Sequence, residues 1–305
     1  ICREQGCDFI IGLGGGSTID SAKAIAVMAC NDGDFWNYVT GGTGKGRPVT
    51  KALPIVAIPT TAGTGTEVDP WAVITNEEKQ EKIGFGCPLT FPTLSIIDPE
   101  LMISIPAHLT AYQGFDAFFH AAEGFIANCA TPISDLYALE AIRLLYKYLP
   151  VAVNDGKNLK ARAKVAWAST LAGLVEATSS CTSEHSMEHA MSAFYPELPH
   201  GAGLIALSEA YFETFRNDCM KRYMKMADIM TQQKSNRPSD FIDALVRMKK
   251  ECHVDDIKLS KWGLKEEDLP KMVQNARDTM GGLFTLDPRP LTDEEVLNIY
   301  KQSYK

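Results

Sequence analysis

Short apolar runs bounded by glycine, proline or polar residues occupy the first hundred positions. Residues 8–13 (DFIIGL) and 53–59 (LPIVAIP) are continuously apolar, which is typical of strands buried on both faces of a parallel sheet. Residues 71–75 and 93–97 indicate two further strands, with a charged hairpin over residues 76–82 between them. The segment before residue 8 reads as the end of a helix. This half of the chain is therefore predicted to be an α/β unit built on a parallel sheet.

The pattern changes at Pro106, after which apolar residues recur at helical spacing almost to the end of the chain. We expect nine helices, over residues 106–128, 134–149, 158–179, 183–195, 202–216, 218–231, 239–251, 266–280 and 292–303. The predicted fold is thus α/β plus all-α. Its predicted domains are a partial α/β unit, residues 1–105, and an all-helical unit, residues 106–305.

Composition narrows the classes of partner. The net charge of −8 gives no basic surface for nucleic acid or an anionic membrane. No apolar run approaches the roughly 20 residues of a membrane-spanning helix. The eight cysteines are scattered without a CxxC pair, which favours free thiols in a reducing cytoplasm.

Two polar loops follow the first two strands. Residues 14–20 (GGGSTID) lead into a helical pattern, so free amides and the helix dipole could face a phosphate. Residues 60–67 (TTAGTGTE) are dense in hydroxyls and glycines that can bind a polar ligand. Taken alone, each loop is equally compatible with an ordinary turn, and the first does not have GxGxxG spacing.

Two short segments concentrate the rarer metal-ligand side chains. His185 and His189 are four residues apart and would share one helix face, and Asp116 and His120 repeat that spacing. His200 follows two prolines and is predicted to be a loop histidine that returns toward the first pair. A site of imidazoles and one carboxylate suits ferrous iron, zinc, nickel or cobalt better than calcium or magnesium. The spacing alone does not separate His185 from His189 as a ligand.

Four long stretches together resemble the iron-dependent alcohol dehydrogenases of group III, and within them the butanol dehydrogenase and lactaldehyde reductase-like members. They are GLGGGSTIDSAKAIA (12–26), PTTAGTGTEVDPWAVIT (59–75), IPAHLTAYQGFDAFFHAAEGFIAN (105–128) and HSMEHAMSAFYPELPHGAGLIAL (185–207). The resemblance extends to the last residue. It implies a Rossmann-like nucleotide-binding domain followed by a helical metal-binding domain.

The resemblance also implies a role for individual residues. It makes the metal ligands Asp116, His120, His185 and His200, holding Fe²⁺ with Zn²⁺ as an alternative. It places the non-ligand His189 near the nicotinamide as a catalytic residue. It assigns the binding of NAD or NADP to Gly15, Gly16, Ser17, Asp20, Thr60, Thr61, Thr64 and Lys82, with Lys82 reaching the ribose.

The implied activity is the interconversion of a primary alcohol and its aldehyde by a cytoplasmic homodimer, without nucleic acid or membrane partners. The family carries further residues before the strand at Asp8, so we expect the numbering to begin inside a larger protein. Three alternatives remain open. They are a metal-dependent hydrolase, a sister activity like that of dehydroquinate synthase or glycerol dehydrogenase, and an inactive truncated paralogue that binds metal only. A metal-dependent hydrolase would not need the two loops that could bind a cofactor.

Overall fold

The computed structural model describes residues 1–305 and places all its strands in the first third of the chain. The strands are β1 (Ile10–Gly14), β2 (Ile55–Pro59), β3 (Ala72–Asn76), β4 (Glu81–Phe85) and β5 (Leu94–Ser95). The helices are α1 (Cys2–Gln5), α2 (Gly16–Cys30), α3 (Ala107–Ile126), α4 (Pro132–Asn154), α5 (Leu159–Thr178), α6 (Ser183–Phe194), α7 (His200–Thr214), α8 (Met220–Thr231), α9 (Ser239–Glu251), α10 (Leu269–Phe284) and α11 (Asp293–Tyr304).

A three-stranded parallel sheet, in the order β1-β2-β5, forms the base of the first part. Helix α2 covers one of its faces so closely that a Cβ on Gly12 would lie 3.1 Å from the Cβ of Ala22. The opposite face carries Ile11, Leu13 and Leu94, whose exposed fractions are 54%, 57% and 54%. Parallel sheets are normally covered on both faces, and within residues 1–305 this second face stays exposed.

The remaining strands depart from the predicted pattern. β3 pairs only with β4, in antiparallel register, so the predicted strand at residues 71–75 lies outside the parallel sheet. β4 completes the charged hairpin and was not predicted as a strand. The predicted strand at residues 93–97 shortens to the two residues of β5.

The helical part surrounds one large apolar core. Helix α3 is buried from Gly114 to Ile126, and its Phe115, Phe118 and Phe119 rings pack against one another and against α7 and α9. A helix buried on all sides holds any polar side chain it carries in a fixed position. The division into two domains at residue 105 stays a prediction. None of the helices combines the length and apolar character that a membrane crossing requires.

Candidate metal and cofactor site

Three imidazoles converge on one carboxylate oxygen in the helical part. The Nε2 atoms of His120 and His185 each lie 3.5 Å from Oδ1 of Asp116, and Nε2 of His200 lies 3.4 Å from it. Asp116 and His120 come from α3 and His185 from α6. His200 is the first residue of α7, so the expectation of a loop histidine was wrong. Its helical position fixes the ring more firmly than a loop would.

These distances fit a shared metal ion. Ligands about 2.1 Å from a tetrahedral metal are roughly 3.4 Å apart, which is the spacing found here. Oδ1 of Asp116 and Nε2 of His185 are buried and have no hydrogen-bond partner within the protein. Since unpaired polar atoms are costly to bury, a cation between them is the simplest compensation.

Protonation favours cation binding at His120 and Asp116. Burial is the main influence on the pKa of His120 and lowers it to about 3, so the ring is neutral and keeps a lone pair for a metal. Burial by itself would raise the pKa of Asp116, but the surrounding imidazoles of His120, His200 and His185 outweigh burial and hold that pKa well below its usual value. The carboxylate is therefore an anionic ligand. Burial alone would lower the pKa values of His185 and His200, but neighbouring groups that include Glu123 and Glu188 raise them, so these two rings must lose a proton to bind a metal.

A second carboxylate stands behind each imidazole, and sequence reasoning missed all three. Nδ1 of His185 contacts Glu123, Nδ1 of His200 contacts Glu188, and Nδ1 of His120 lies 3.4 Å from Glu176. The hydrogen-bonded partners Glu123 and Glu188 fix the tautomers of His185 and His200 and raise their basicity, whereas Nδ1 of His120 makes no hydrogen bond. Each of these three contacts joins two different helices, so no local spacing in the sequence signals it.

His189 lies beside this cluster, next to His200 and Glu188. Its ring centroid is 5.4 Å from that of His200 and 6.4 Å from that of His185. Its Nδ1 atom is buried without a hydrogen-bond partner. Lys82, from β4, lies on the same side, with Nζ 3.2 Å from Glu188 and 3.3 Å from Nδ1 of His200. Lys82 is thus adjacent to the metal cluster.

The two polar loops meet each other at the carboxyl ends of β1 and β2. The amide of Thr60 donates to Gly14 at 2.8 Å, which joins the loops at their base. Gly16 begins α2, and a Cβ there would lie 2.5 Å from Cγ2 of Thr64. A Cβ on Gly15 would lie 3.3 Å from Cγ2 of Thr61. The first-turn amides, including that of the exposed Ser17, have no intrahelical acceptor and can bind an anion.

Asp20, in contrast, faces the interior. Its carboxylate accepts from the Thr66 hydroxyl at 2.7 Å and from the Val73 amide at 2.9 Å. Next to it, the fully buried Lys23 ammonium binds Thr66 and the Asp69 carboxylate at 2.7 and 3.2 Å. Asp20 therefore holds the threonine-rich loop to α2 and β3, and sequence reasoning gave no sign of the Lys23 pair.

Comparison with known proteins gives consistent matches. The sequence profile described as "Iron-containing alcohol dehydrogenase" matches residues 1–99, and "Fe-containing alcohol dehydrogenase family, C-terminal" matches residues 110–304. Alcohol dehydrogenase 4 of Schizosaccharomyces pombe is 34% identical over 99% of this chain and 70% of its own length. The NAD-dependent methanol dehydrogenase of Bacillus methanolicus is 32% identical over 99% of this chain and 79% of its own.

Comparison with solved structures gives a match to the same kind of protein as the sequence comparisons do. An alcohol dehydrogenase from a halo-thermophilic archaeon of a Red Sea brine pool superimposes with a TM-score of 0.94 at 36% identity, covering 99% of this chain and 78% of that one.

Proposed function

We propose, for a chain that belongs to the iron-containing alcohol dehydrogenase family, that Asp116, His120, His185 and His200 would hold a ferrous ion, which would act on the alcohol or aldehyde as a Lewis acid. The chain is an NAD-dependent oxidoreductase that interconverts an alcohol and its aldehyde. The observation that carries the ligand assignment is the approach of three Nε2 atoms to Oδ1 of Asp116 at 3.4–3.5 Å.

The reaction divides between the bound groups and the protein. When bound, iron supplies Lewis acidity and the nicotinamide accepts a hydride. Asp116 supplies an anionic ligand, and Glu123 and Glu188 orient the imidazoles of His185 and His200. His189 offers its unpartnered Nδ1 to the proton that leaves the alcohol hydroxyl.

The cofactor is assigned to the two loops. The amides of Gly15, Gly16 and Ser17 bind the pyrophosphate, and Thr60, Thr61 and Thr64 line the cofactor's other side. Lys82 donates to the ribose beside the metal. Asp20 supports this arrangement from within through Thr66.

Five finer assignments complete the proposal. The metal is iron, with zinc as the alternative; NAD is the cofactor, with NADP as the alternative. The enzyme acts as a homodimer on a small alcohol or aldehyde. It works in the cytoplasm, where its eight scattered cysteines stay reduced.

The test combines metal analysis with cofactor reduction. The anaerobically purified protein, supplied with Fe²⁺, should bind one metal per chain, bind NADH and form NADH from primary alcohols. Asp116→Asn should lose both metal and activity, because the site loses its anionic ligand. Asp243→Asn, a change on α9, is the matched control and should behave as wild type. Metal retained in Asp116→Asn would refute the ligand set, and metal binding without NADH binding would favour the inactive paralogue.

A further inference from the structure

Glu188 is a buried carboxylate shared between the two halves of the site. It lies on α6 and is fully buried, yet its partners come from three different elements. Oε2 contacts Nδ1 of His200 on α7 and lies 3.2 Å from Nζ of Lys82 on β4, and Oε1 accepts from the Ser192 hydroxyl. Lys82 and Glu188 are 106 residues apart in sequence. The Glu188 carboxylate thus contacts both His200, a proposed metal ligand, and Lys82, the cation on the side assigned to the cofactor.

Packing holds this carboxylate in place. A Cβ on Gly203 would lie 3.0 Å from Oε1 of Glu188, so the absence of a side chain at Gly203 leaves the room that the carboxylate occupies. The side chain of Lys82 is 14% exposed and can approach a ligand outside the helical core. Glu188 is therefore the fixed member of the pair and Lys82 the adjustable one.

The three groups constrain one another's hydrogen bonds. When Nε2 of His200 faces a metal, its hydrogen is on Nδ1 and is donated to Glu188. Nδ1 then cannot accept from Lys82, although the two nitrogens are 3.3 Å apart. Lys82 and His200 therefore both bind the Glu188 carboxylate, and a stronger interaction of Glu188 with one of them weakens its interaction with the other.

We propose that Glu188 is a positioning residue that couples metal binding to cofactor binding, through His200 on one side and Lys82 on the other. This inference rests on the proposed function, because it needs Lys82 to face the cofactor. A ribose hydroxyl that accepts from Lys82 draws the ammonium away from Glu188. The less compensated carboxylate binds the Nδ1 hydrogen of His200 more strongly, which makes Nε2 a better metal ligand. Cofactor and metal thus strengthen each other's binding.

The experiment measures each affinity with and without the other ligand. Zn²⁺, which is redox-inert, is titrated against a chromophoric chelator with and without saturating NADH, and NADH is titrated by its fluorescence with and without Zn²⁺. Coupling between sites is typically about 5-fold to 150-fold and must be equal in both directions. In the wild type we expect NADH to tighten Zn²⁺ binding at least about fivefold, and Zn²⁺ to tighten NADH binding by the same factor.

Glu188→Gln should weaken Zn²⁺ binding about 10-fold to 100-fold, as expected for a lost partner of a ligating histidine, and should abolish the coupling. Glu184→Gln is the matched control. It makes the same change on the same helix at a buried carboxylate whose oxygens have no hydrogen-bond partner. This control should keep the wild-type coupling factor. Coupling that survives in Glu188→Gln would overturn the inference.

Lys82→Met tests the coupling between metal and cofactor binding if Glu188→Gln fails to fold or binds no metal. Removing the ammonium mimics its withdrawal, so this variant should bind Zn²⁺ without NADH as tightly as the wild type does with NADH. Zn²⁺ binding no tighter than that of the NADH-free wild type would refute the coupling. A wild type that binds both ligands independently would also refute it, whereas a wild type that binds neither would refute the proposed function itself.

Discussion

His185 and His189 differ in what their ring nitrogens face, although both lie on α6 one turn apart. Nε2 of His185 is 3.5 Å from Oδ1 of Asp116, and its Nδ1 contacts Glu123. His189 groups instead with Glu188 and His200, on the side of Lys82. The first geometry suits a metal ligand and the second a neighbour that handles a proton.

Alanine at each position should therefore have a different effect. His185→Ala should lose its metal, because one of four ligands disappears. His189→Ala should keep about one metal per chain, while turnover falls by roughly 100-fold for a lost proton acceptor. Metal content after anaerobic loading with iron, measured beside alcohol-dependent NADH formation, checks both. The roles are reversed if His189→Ala is the variant without metal.

Asp287 is a buried carboxyl group that is not one of the proposed ligands. It lies after α10, is 2% exposed, and accepts from the Ser183 amide and the Tyr211 hydroxyl at 2.9 and 3.1 Å through Oδ1. Its Oδ2 atom has no hydrogen-bond partner. Burial is the main cause that raises the pKa of Asp287 to about 7.

This raised pKa predicts a pH-dependent stability. The unfolded carboxyl has a pKa near 3.9, so the folded state binds this proton more tightly. The contribution is complete below about pH 4 and is lost as pH rises through about 7, by at most about 4 kcal/mol. Asp287→Asn cannot titrate, so its free energy of unfolding relative to wild type should rise across that window. Urea unfolding of the metal-free proteins from pH 4 to 8 measures this, and parallel curves would refute it.

At the scale of elements, the glycine loop and the threonine loop form one surface. A Cβ on Gly16 would reach the Thr64 methyl group at 2.5 Å, before it filled the space expected for a phosphate. The contact between the loops thus depends on glycine as much as ligand binding does.

Gly16→Val should raise the dissociation constant for NADH at least about tenfold, because the side chain separates the loops and covers the first-turn amides. A second pair of variants separates these causes. If the clash with the methyl group dominates, Thr64→Ser should restore much of the affinity lost by Gly16→Ala, since it removes Cγ2 and keeps the hydroxyl. Fluorescence titration with NADH is the measurement. Unchanged affinity in Gly16→Val would contradict the pyrophosphate assignment.

At the scale of the whole molecule, the uncovered sheet face is the most unusual surface. Register pairs Ile11 with Val56 and Leu13 with Ile58, and Val56 is paired in turn with Leu94, so these side chains share one face. Contiguous apolar surfaces of this kind promote association.

We expect this 305-residue chain to bind a hydrophobic dye and to self-associate at micromolar concentration. Ile11→Lys combined with Leu13→Glu should reduce both, because charges interrupt the patch at solvent-exposed positions. Ile133→Lys with Leu136→Glu, which alters exposed apolar residues on α4, is the matched control and should leave both unchanged. Light scattering and dye fluorescence give the comparison. Equal effects of the two double variants would mean that the sheet face is not special.

Local pattern was enough for most of the fold and indicated where candidate metal ligands concentrate. Apolar residues of a helix recur with a period set by its buried face, and strands buried on both faces are continuous apolar runs. Both patterns are therefore visible in the sequence. Residues spaced four apart on a helix lie together whatever surrounds them, which brought Asp116 near His120. The family resemblance, rather than spacing, separated His185 from His189.

Strand β4 shows where local pattern failed. It begins with Glu81, a charged residue that is nevertheless buried, because Trp36 Nε1 and the Thr43 amide each donate to its carboxylate at 2.8 Å. Those donors lie about 40 residues earlier in sequence, so the residues of EKIGF alone do not predict a strand.

Tertiary structure alone decided the surroundings of the site. Glu176 reaches His120 from α5, Glu123 reaches His185 from α3, and Lys82 reaches Glu188 from β4. Each contact joins separate elements, so it depends on how helices and hairpin pack and not on any local period. The sequence by itself determined which side chains could bind a metal, because periodicity and residue chemistry are local. Packing determined which carboxylates hold them, because buried charges are stable only where distant elements supply a partner.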